Sequence, residues 1–150
     1  MTNKASIDKA LQEKWSAEVD IEIPFHDVDL LAIAWHGHYV RYFEIARCAL
    51  FDKMDYNYKQ MEASGFAWPV IDLHVRYVQP SEFQQIIRVK ATLIECEYRL
   101  KVKYLVTDAA TGKRLTKGHT VQVAVDMEKQ EMCLASPKIL FDKVGVPYAF

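Results

Sequence analysis

Residues 39–54 read Tyr39-Val-Arg-Tyr-Phe-Glu-Ile-Ala-Arg-Cys-Ala-Leu-Phe-Asp-Lys-Met54, and their spacing decides the architecture. Arg41, Glu44, Arg47, Cys48 and Asp52 recur at helical spacing as a narrow polar stripe. Tyr39, Tyr42, Phe43, Ala46, Ala49, Leu50 and Met54 fill the rest of the circumference. A helix that is apolar over most of its surface belongs inside a protein, so the pattern predicts one long, largely buried helix.

Working outward, the segment before this helix alternates. Val19, Ile21 and Ile23 interleave with Glu18, Asp20 and Glu22, which predicts a strand over 17–25, with Pro24 marking its end or a sheet edge. Residues 1–16 have weak helical character and are expected to form an N-terminal arm. Beyond the helix, a second, shorter one is predicted from Asn57 to Ala63, closed by Gly65. Four strand-like runs follow, at 68–78, 85–95, 99–107 and 115–126. In the third, Leu100, Val102, Tyr104 and Val106 alternate with Arg99, Lys101, Lys103 and Leu105, the pattern of a half-buried antiparallel strand. Thr111-Gly-Lys113 reads as a hairpin turn. Gly118, inside the last run, predicts a bulge or a close backbone approach. A short helix or coil is expected after Ser136-Pro137.

One strand, one long apolar helix and four further strands indicate an α+β fold. An antiparallel sheet of about five strands, curled around the central helix, would bury that helix efficiently. It would leave a sheet edge open, which predicts pairing with a second copy.

Composition sets the outer limits. A chain of 150 residues with 51% hydrophobic content suits a single domain with a substantial core, spanning 1–150. Its formal net charge of −1 does not point to nucleic acid, and no apolar run reaches membrane-spanning length. The polar N-terminus lacks the apolar stretch of a signal peptide. Cys48, Cys96 and Cys133 are odd in number and widely spaced, which predicts reduced thiols and a cytoplasmic protein.

The chemistry concentrates in Phe25-His-Asp-Val-Asp-Leu-Leu-Ala-Ile-Ala-Trp-His-Gly-His-Tyr39, which carries Asp27, Asp29, His26, His36 and His38 between a strand and the start of the buried helix. Helix starts present unpaired N–H groups and a positive dipole end, which stabilise anions and developing oxyanions. A carboxylate beside them can attack a carbonyl or activate water.

Asp27-Val-Asp29, His36-Gly-His-Tyr39 and Tyr42-Phe-Glu-Ile-Ala-Arg47 together resemble the 4-hydroxybenzoyl-CoA thioesterase branch of the hotdog superfamily. The resemblance extends more loosely through Trp68-Pro-Val-Ile71 and Tyr77-Val-Gln-Pro80 and covers about 17–130. It implies a hotdog fold and hydrolysis of an acyl-CoA or acyl-carrier-protein thioester. It implies Asp29, the second Asp of D-x-D, as the catalytic carboxylate. His36 falls where the family places a backbone amide facing the thioester carbonyl, with its side chain as an assistant. Asp27 is implied to hold the loop, Trp35 and Tyr39 to line or brace the acyl pocket, and a turn near Ala67 to contribute to the same pocket. The family implies a homodimer or homotetramer with sites at the dimer interface. It requires no cofactor, coenzyme A or phosphopantetheine arriving with the substrate. Two departures stand out. Leu30-Leu31-Ala32 replace glycines, which implies a greasier pocket and a different loop backbone, and His38 replaces an asparagine.

Other readings of the same residues are carried alongside. His36-x-His38 with Asp27 and Asp29 has ligand types suited to zinc or iron. Asp27 and Asp29 could simply cap loop and helix. Glu44 and Arg47 lie one turn apart and are expected to pair, with Glu44 as the reserve catalytic carboxylate. His74 and His119 read as ordinary strand residues. Arg88, Lys90, Arg99, Lys101 and Lys103 could form a basic stripe toward coenzyme A phosphates or an acidic carrier protein, or just a solvated sheet face. A hotdog 3-hydroxyacyl-thioester dehydratase and a non-catalytic acyl-thioester-binding protein are the alternative functions. Ser64-Gly65 lacks the G-x-S-x-G elbow of a serine hydrolase.

Overall fold

The alternation and helical spacing read above become a sheet wrapped on a helix in the computed structural model, which describes residues 4–150. The arm expected at 1–16 is helical from Lys4 as α1 (Lys4–Lys14), residues 1–3 lying outside the described residues. β1 (Ser16–Glu22) leads through two short 3-10 turns, Phe25–Asp27 and His36–His38, into the long helix α2 (Tyr39–Lys53). α3 (Tyr58–Ala63) begins with a capping box between Asn57 and Gln60. Then come β2 (Phe66–Ala67), β3 (Val70–Tyr77), β4 (Ile86–Glu95), β5 (Leu100–Asp108), β6 (Arg114–Gln122), β7 (Val125–Asp126), β8 (Glu131–Met132) and α4 (Lys138–Val144).

The main sheet has the order β1-β4-β5-β6-β3, antiparallel throughout. Its inner face presents Ile87, Val89, Ala91 and Leu93 of β4 and Leu100, Val102, Tyr104 and Val106 of β5, all buried against α2. From α2 come Tyr39, Tyr42, Phe43, Ala46, Leu50 and Phe51. Burying each large side chain contributes about 1.5–3 kcal/mol before chain entropy is counted. This is the α+β hotdog arrangement of about five strands around one helix that the resemblance implies.

Three details differ from the expectations. Arg47, assigned to the polar stripe, is 6% exposed, whereas Val40 and Ile45 are 43% and 42% exposed. The sheet covers a different arc of α2 than polarity alone indicated. Arg47 is accommodated because its Nε donates to the Tyr58 hydroxyl at 3.0 Å and its Nη1 to the Tyr104 hydroxyl at 3.5 Å. The expected Glu44 partner lies at 4.0 Å, the outer limit of an ion pair. The run expected at 68–78 becomes strand at Val70 as β3, with Trp68-Pro69 separating it from the short β2 at Phe66–Ala67, and the run at 115–126 divides between β6 and β7. β2, β7 and β8 form a separate small sheet.

Gly118 marks a close approach. A Cβ there would fall on the His74 carbonyl oxygen and lie 2.8 Å from the Phe43 ring. Phe43 in turn stacks on Tyr104, with centroids 4.4 Å apart and planes at 3°. At the far end, the Trp15 indole N–H donates to the Val144 carbonyl at 2.9 Å, tying α1 to α4. Among the described residues, no helix is long and apolar enough to cross a membrane.

The Gly118 contact is testable. Gly118→Ala is expected to lower stability by about 1–3 kcal/mol, because helix and strand must separate to admit a methyl group. Urea unfolding should show a lower midpoint at unchanged slope; an unchanged midpoint would contradict this packing.

Candidate active site

The loop between β1 and α2 is held by backbone pairing to a neighbouring segment. Val28 and Ala34 form an isolated antiparallel bridge, as do Ile33 and Glu82. The Ala34 N–H donates to the Ser81 carbonyl at 2.7 Å and the Trp35 N–H to the Asp27 carbonyl at 2.9 Å. Asp29 stands at the head of the tight turn this makes. Its N–H donates to the Ile33 carbonyl and its own carbonyl accepts from Ala32, each at 2.9 Å. Ala32 adopts φ +61°, the left-handed conformation that glycine enters freely and alanine does not. The loop therefore keeps a glycine-like backbone at a position without glycine.

The Asp29 carboxylate is exposed, and its Oδ1 accepts the Leu31 N–H at 2.8 Å. This side chain to backbone turn orients the carboxylate, and among the described residues Oδ2 accepts no hydrogen bond. The cleft, about 390 Å³, takes Asp29, Ile33, His36, Tyr39, Tyr77 and Pro80 among its lining residues. Tyr39 is buried, its hydroxyl 2.8 Å from that of Ser81. The Tyr77 hydroxyl donates to the His36 carbonyl at 2.6 Å, pinning the 3-10 turn that leads into α2. Partial burial, with Tyr39 beside it, pushes the Tyr77 pKa up and keeps its proton available for that bond. Among the described residues, nothing accepts a hydrogen bond from the His36 or Gly37 amides. Helix-start amides of this kind are ready donors to an anion.

Asp27 is built differently. It is 1% exposed, and its Oδ2 accepts from the Tyr42 hydroxyl at 2.7 Å and from the Arg41 guanidinium. Oδ1 has no hydrogen bond, with His26 Nε2 at 3.6 Å and His38 Nε2 at 3.9 Å. Burial opposes the charge on Asp27. The Tyr42 hydroxyl and the positive charge of Arg41, His38 and His26 outweigh it and hold the carboxyl below the usual range. Asp27 thus locks the loop to the first turn of α2, the holding role expected of it, and does not line the Asp29 cleft.

The structure brings Asp29, His36 and Tyr39 to one cleft. Trp35 is not among its lining residues; the indole packs on His36 and His38, at centroid distances of 4.9 and 5.4 Å. It also covers Gly37 so closely that a side chain there would strike the ring. Ala67 lies in β2 of the small sheet, away from this cleft within one protomer. Glu44, the reserve carboxylate, is exposed on α2 and lines no part of the cleft. Among the described residues, no group of three or more His, Cys, Asp or Glu side chains is placed to hold a metal ion. Reading the sequence missed Tyr77 and Ser81 as site residues. Their signal was present: Tyr77 opens the Tyr77-Val-Gln-Pro80 segment, and Ser81 follows it.

Comparison with known proteins bears on the family and the fold. The sequence profile of a family described as the thioesterase-like superfamily matches residues 23–142. A Synechocystis protein named as a candidate esterase is 25% identical over 133 residues, 88% of this chain and 80% of that one. A DHNA-CoA thioesterase from Staphylococcus aureus superposes with a TM-score of 0.72 at 25% identity, covering 79% of this chain and 80% of that one. A 1,4-dihydroxy-2-naphthoyl-CoA thioesterase from Synechocystis shares the fold, with a TM-score of 0.77 at 13% identity over 87% of this chain and 96% of that one.

The Asp27 lock has a measurable consequence. Asp27→Asn leaves Arg41 without its anionic partner beside a buried amide, and should cost about 2–4 kcal/mol in chemical unfolding. The folded pKa is depressed, so the carboxylate contributes stability that is complete above the unfolded value of about 3.9 and is lost as pH falls through the lower folded value. The acid limb of the stability profile should therefore be shallower in Asp27→Asn than in wild type.

Proposed function

The chain belongs to the thioesterase-like superfamily, and we propose that it hydrolyses an acyl thioester, carried on coenzyme A or on an acyl carrier protein, at the cleft headed by Asp29. The observation that carries this reading is one juxtaposition. A carboxylate oriented by the Leu31 amide shares a cleft with the start of α2, where the His36 and Gly37 amides are unengaged.

In this reading the thioester carbonyl oxygen points at those amides. They stabilise the negative charge that develops on it, assisted by the positive end of the helix. Asp29 Oδ2 acts as nucleophile or as the base that takes a proton from water. The carbon–sulfur bond then breaks and the thiol leaves as thiolate, whose pKa of roughly 8.5 makes strong acid assistance unnecessary. The His36 side chain assists at the rim. Leu31, Ile33, Ala34 and Val78 give the acyl group an apolar wall, Tyr39 braces it, and Trp35 stiffens the His36 turn from outside. No cofactor takes part, the pantetheine arm arriving with the substrate.

The active unit is a homodimer, with further pairing to a tetramer as an option of the fold. Every residue of the edge strand β3 is exposed except Val75, which is half-buried. Apolar Val70, Ile71, Leu73, Tyr77 and Val78 are exposed at 40–58% along that edge. A long apolar edge of this kind needs a cover. Ala67, outside the cleft in one protomer, joins it only through that assembly.

Two measurements test the proposal. Thiol release from a panel of acyl-CoA and acyl-carrier-protein thioesters should fall by about 10²–10⁴ in kcat for Asp29→Asn, with the fold intact. Equal rates would remove Asp29 from the chemistry and move attention to Glu44; no turnover of any thioester by wild type would favour a binding protein or a dehydratase. Light scattering should give at least twice the 17.4 kDa chain mass. A monomer at micromolar concentration would contradict the dimer-interface site.

A further inference from the structure

The outer face of the main sheet carries an arrangement that neither stability nor the cleft accounts for. Register places Arg76 of β3 directly opposite Lys117 of β6, Lys117 opposite Leu105 of β5, and Leu105 opposite Lys90 of β4. One row along, His74 lies opposite His119, and His119 opposite Lys103. The two imidazoles stack, with centroids 5.3 Å apart and planes at 9°. Arg114 extends the set at the start of β6. Like charges directly opposite across strands are unfavourable.

These cations are also uncompensated. Among the described residues, Arg76, Lys90, Lys103, Arg114 and Lys117 have no carboxylate within ion-pair distance. The acid facing this set from β3 is Asp72, 3.6 Å from His119. On β1, Glu18 stands opposite Lys90 and Asp20 opposite Arg88, with Arg88 in ion-pair reach of both, and Glu13 borders the groove beside α1, so the uncompensated cations centre on Arg76, Lys103, Arg114 and Lys117. The whole chain has net charge −1, so this clustering is placement and not composition. Charged side chains protect sheet edges from aggregation, but Lys103, Arg114 and Lys117 stand on the inner strands β5 and β6, where no edge needs protecting.

Shape narrows the choice of partner. His74, Arg76, Lys103, Arg114, Lys117 and His119 border a groove of about 520 Å³. A second groove of about 550 Å³, between the sheet and α1, shares Lys103, Tyr104 and Leu105 with it. The two make one valley across the sheet, and the row from Arg76 to Lys90 alone spans three strand spacings, about 14 Å. That suits an elongated anionic body more than a compact phosphate. A second copy of this chain brought up by a two-fold axis would set cations against cations.

We propose that this valley docks an acidic helix of the carrier protein that bears the acyl thioester. The proposal rests on the thioester-hydrolase reading and selects the carrier-borne form of its substrate. The placement fits delivery. Arg76 and Tyr77 are consecutive on β3, so the strand that presents the cation on one face supplies a wall of the Asp29 cleft with its neighbour. Tyr77 is the last residue of β3, so a flexible pantetheine arm can pass the end of that strand while its edge stays paired.

The test uses the full-length protein and an acidic acyl carrier protein bearing a non-hydrolysable octanoyl amide, with binding read by fluorescence anisotropy. Lys103→Glu/Lys117→Glu is expected to weaken binding at least about tenfold, and Lys103→Gln/Lys117→Gln by less. Wild-type binding should weaken as salt rises from about 50 to 300 mM. Hydrolysis of octanoyl-N-acetylcysteamine, which has no carrier, should be the same in wild type and variants, and Lys59→Glu on the helical side should leave carrier binding unchanged. Equal carrier affinity in wild type and the Glu variant overturns the proposal. So does displacement of the carrier by adenosine 3′,5′-bisphosphate at the same lysines, which assigns the valley to the nucleotide of coenzyme A. Carrier binding that depends on Lys103 and Lys117 in a protein that hydrolyses no thioester upholds the docking surface and refutes the hydrolase reading instead.

Discussion

The contact between α2 and the inner face of the sheet is the constraint on which everything else rests. Phe43 lies flat on Tyr104 and reaches the backbone at Gly118, so helix and strand meet without intervening side-chain volume. That proximity lets strands on both sides of β5 close over one helix. It also fixes where α2 begins relative to the end of β3, and so the distance across which Tyr77 can donate to the His36 carbonyl. A looser helix would leave the same residues in the chain and no cleft between them.

Asp27 and Asp29 divide the work of one short segment. An extended stretch would set residues two apart on one face; here Asp27 closes a 3-10 turn and Asp29 opens the tight turn that follows, so the two side chains meet different environments. Asp27 goes inward and joins Tyr42 and Arg41, which converts a loop into an extension of α2. Asp29 goes outward, held by the Leu31 amide alone and open to the cleft. Burial and many partners suit a carboxylate that holds structure; exposure and a free oxygen suit one that reacts. The D-x-D spacing places both kinds on one rigid turn.

The sequence was informative where periodicity is strong and long. Sixteen residues of helical spacing fixed α2 to within a residue at its end, and strict alternation at 99–107 located β5. It was less informative where neighbours decide. Arg47 reads as solvent-facing because it is charged, but the hydroxyls of Tyr58 and Tyr104 make its burial tolerable, and no pattern within α2 encodes partners so distant in sequence. Val40 and Ile45 are apolar yet exposed, on the arc of α2 that the sheet does not cover. Within the site, Asp29, His36 and Tyr39 were legible because they share one contiguous motif. Tyr77 lies in the Tyr77-Val-Gln-Pro80 segment of the resemblance, but its bond to His36 depends on β3 passing beside the start of α2, a tertiary fact.

The sheet also divides the molecule electrostatically. Its inner face is apolar; its outer face interleaves acid and base where β1 meets β4 but sets Arg76 against Lys117 where β3 meets β6, with Asp72 as the acid on β3. In a chain with almost no net charge, the cations around Arg76 and Lys117 stand apart because part of the acid complement, Glu44 and Asp52 among it, lies on α2. Separation of this kind costs some stability through repulsion across strands, and a sheet selected for folding alone would have interleaved its signs. Strand β3 belongs to both regimes. Its alternation puts Arg76 on the charged face and Tyr77 on the cleft, so one edge strand connects a surface suited to an acidic partner with the cavity where that partner's cargo would react.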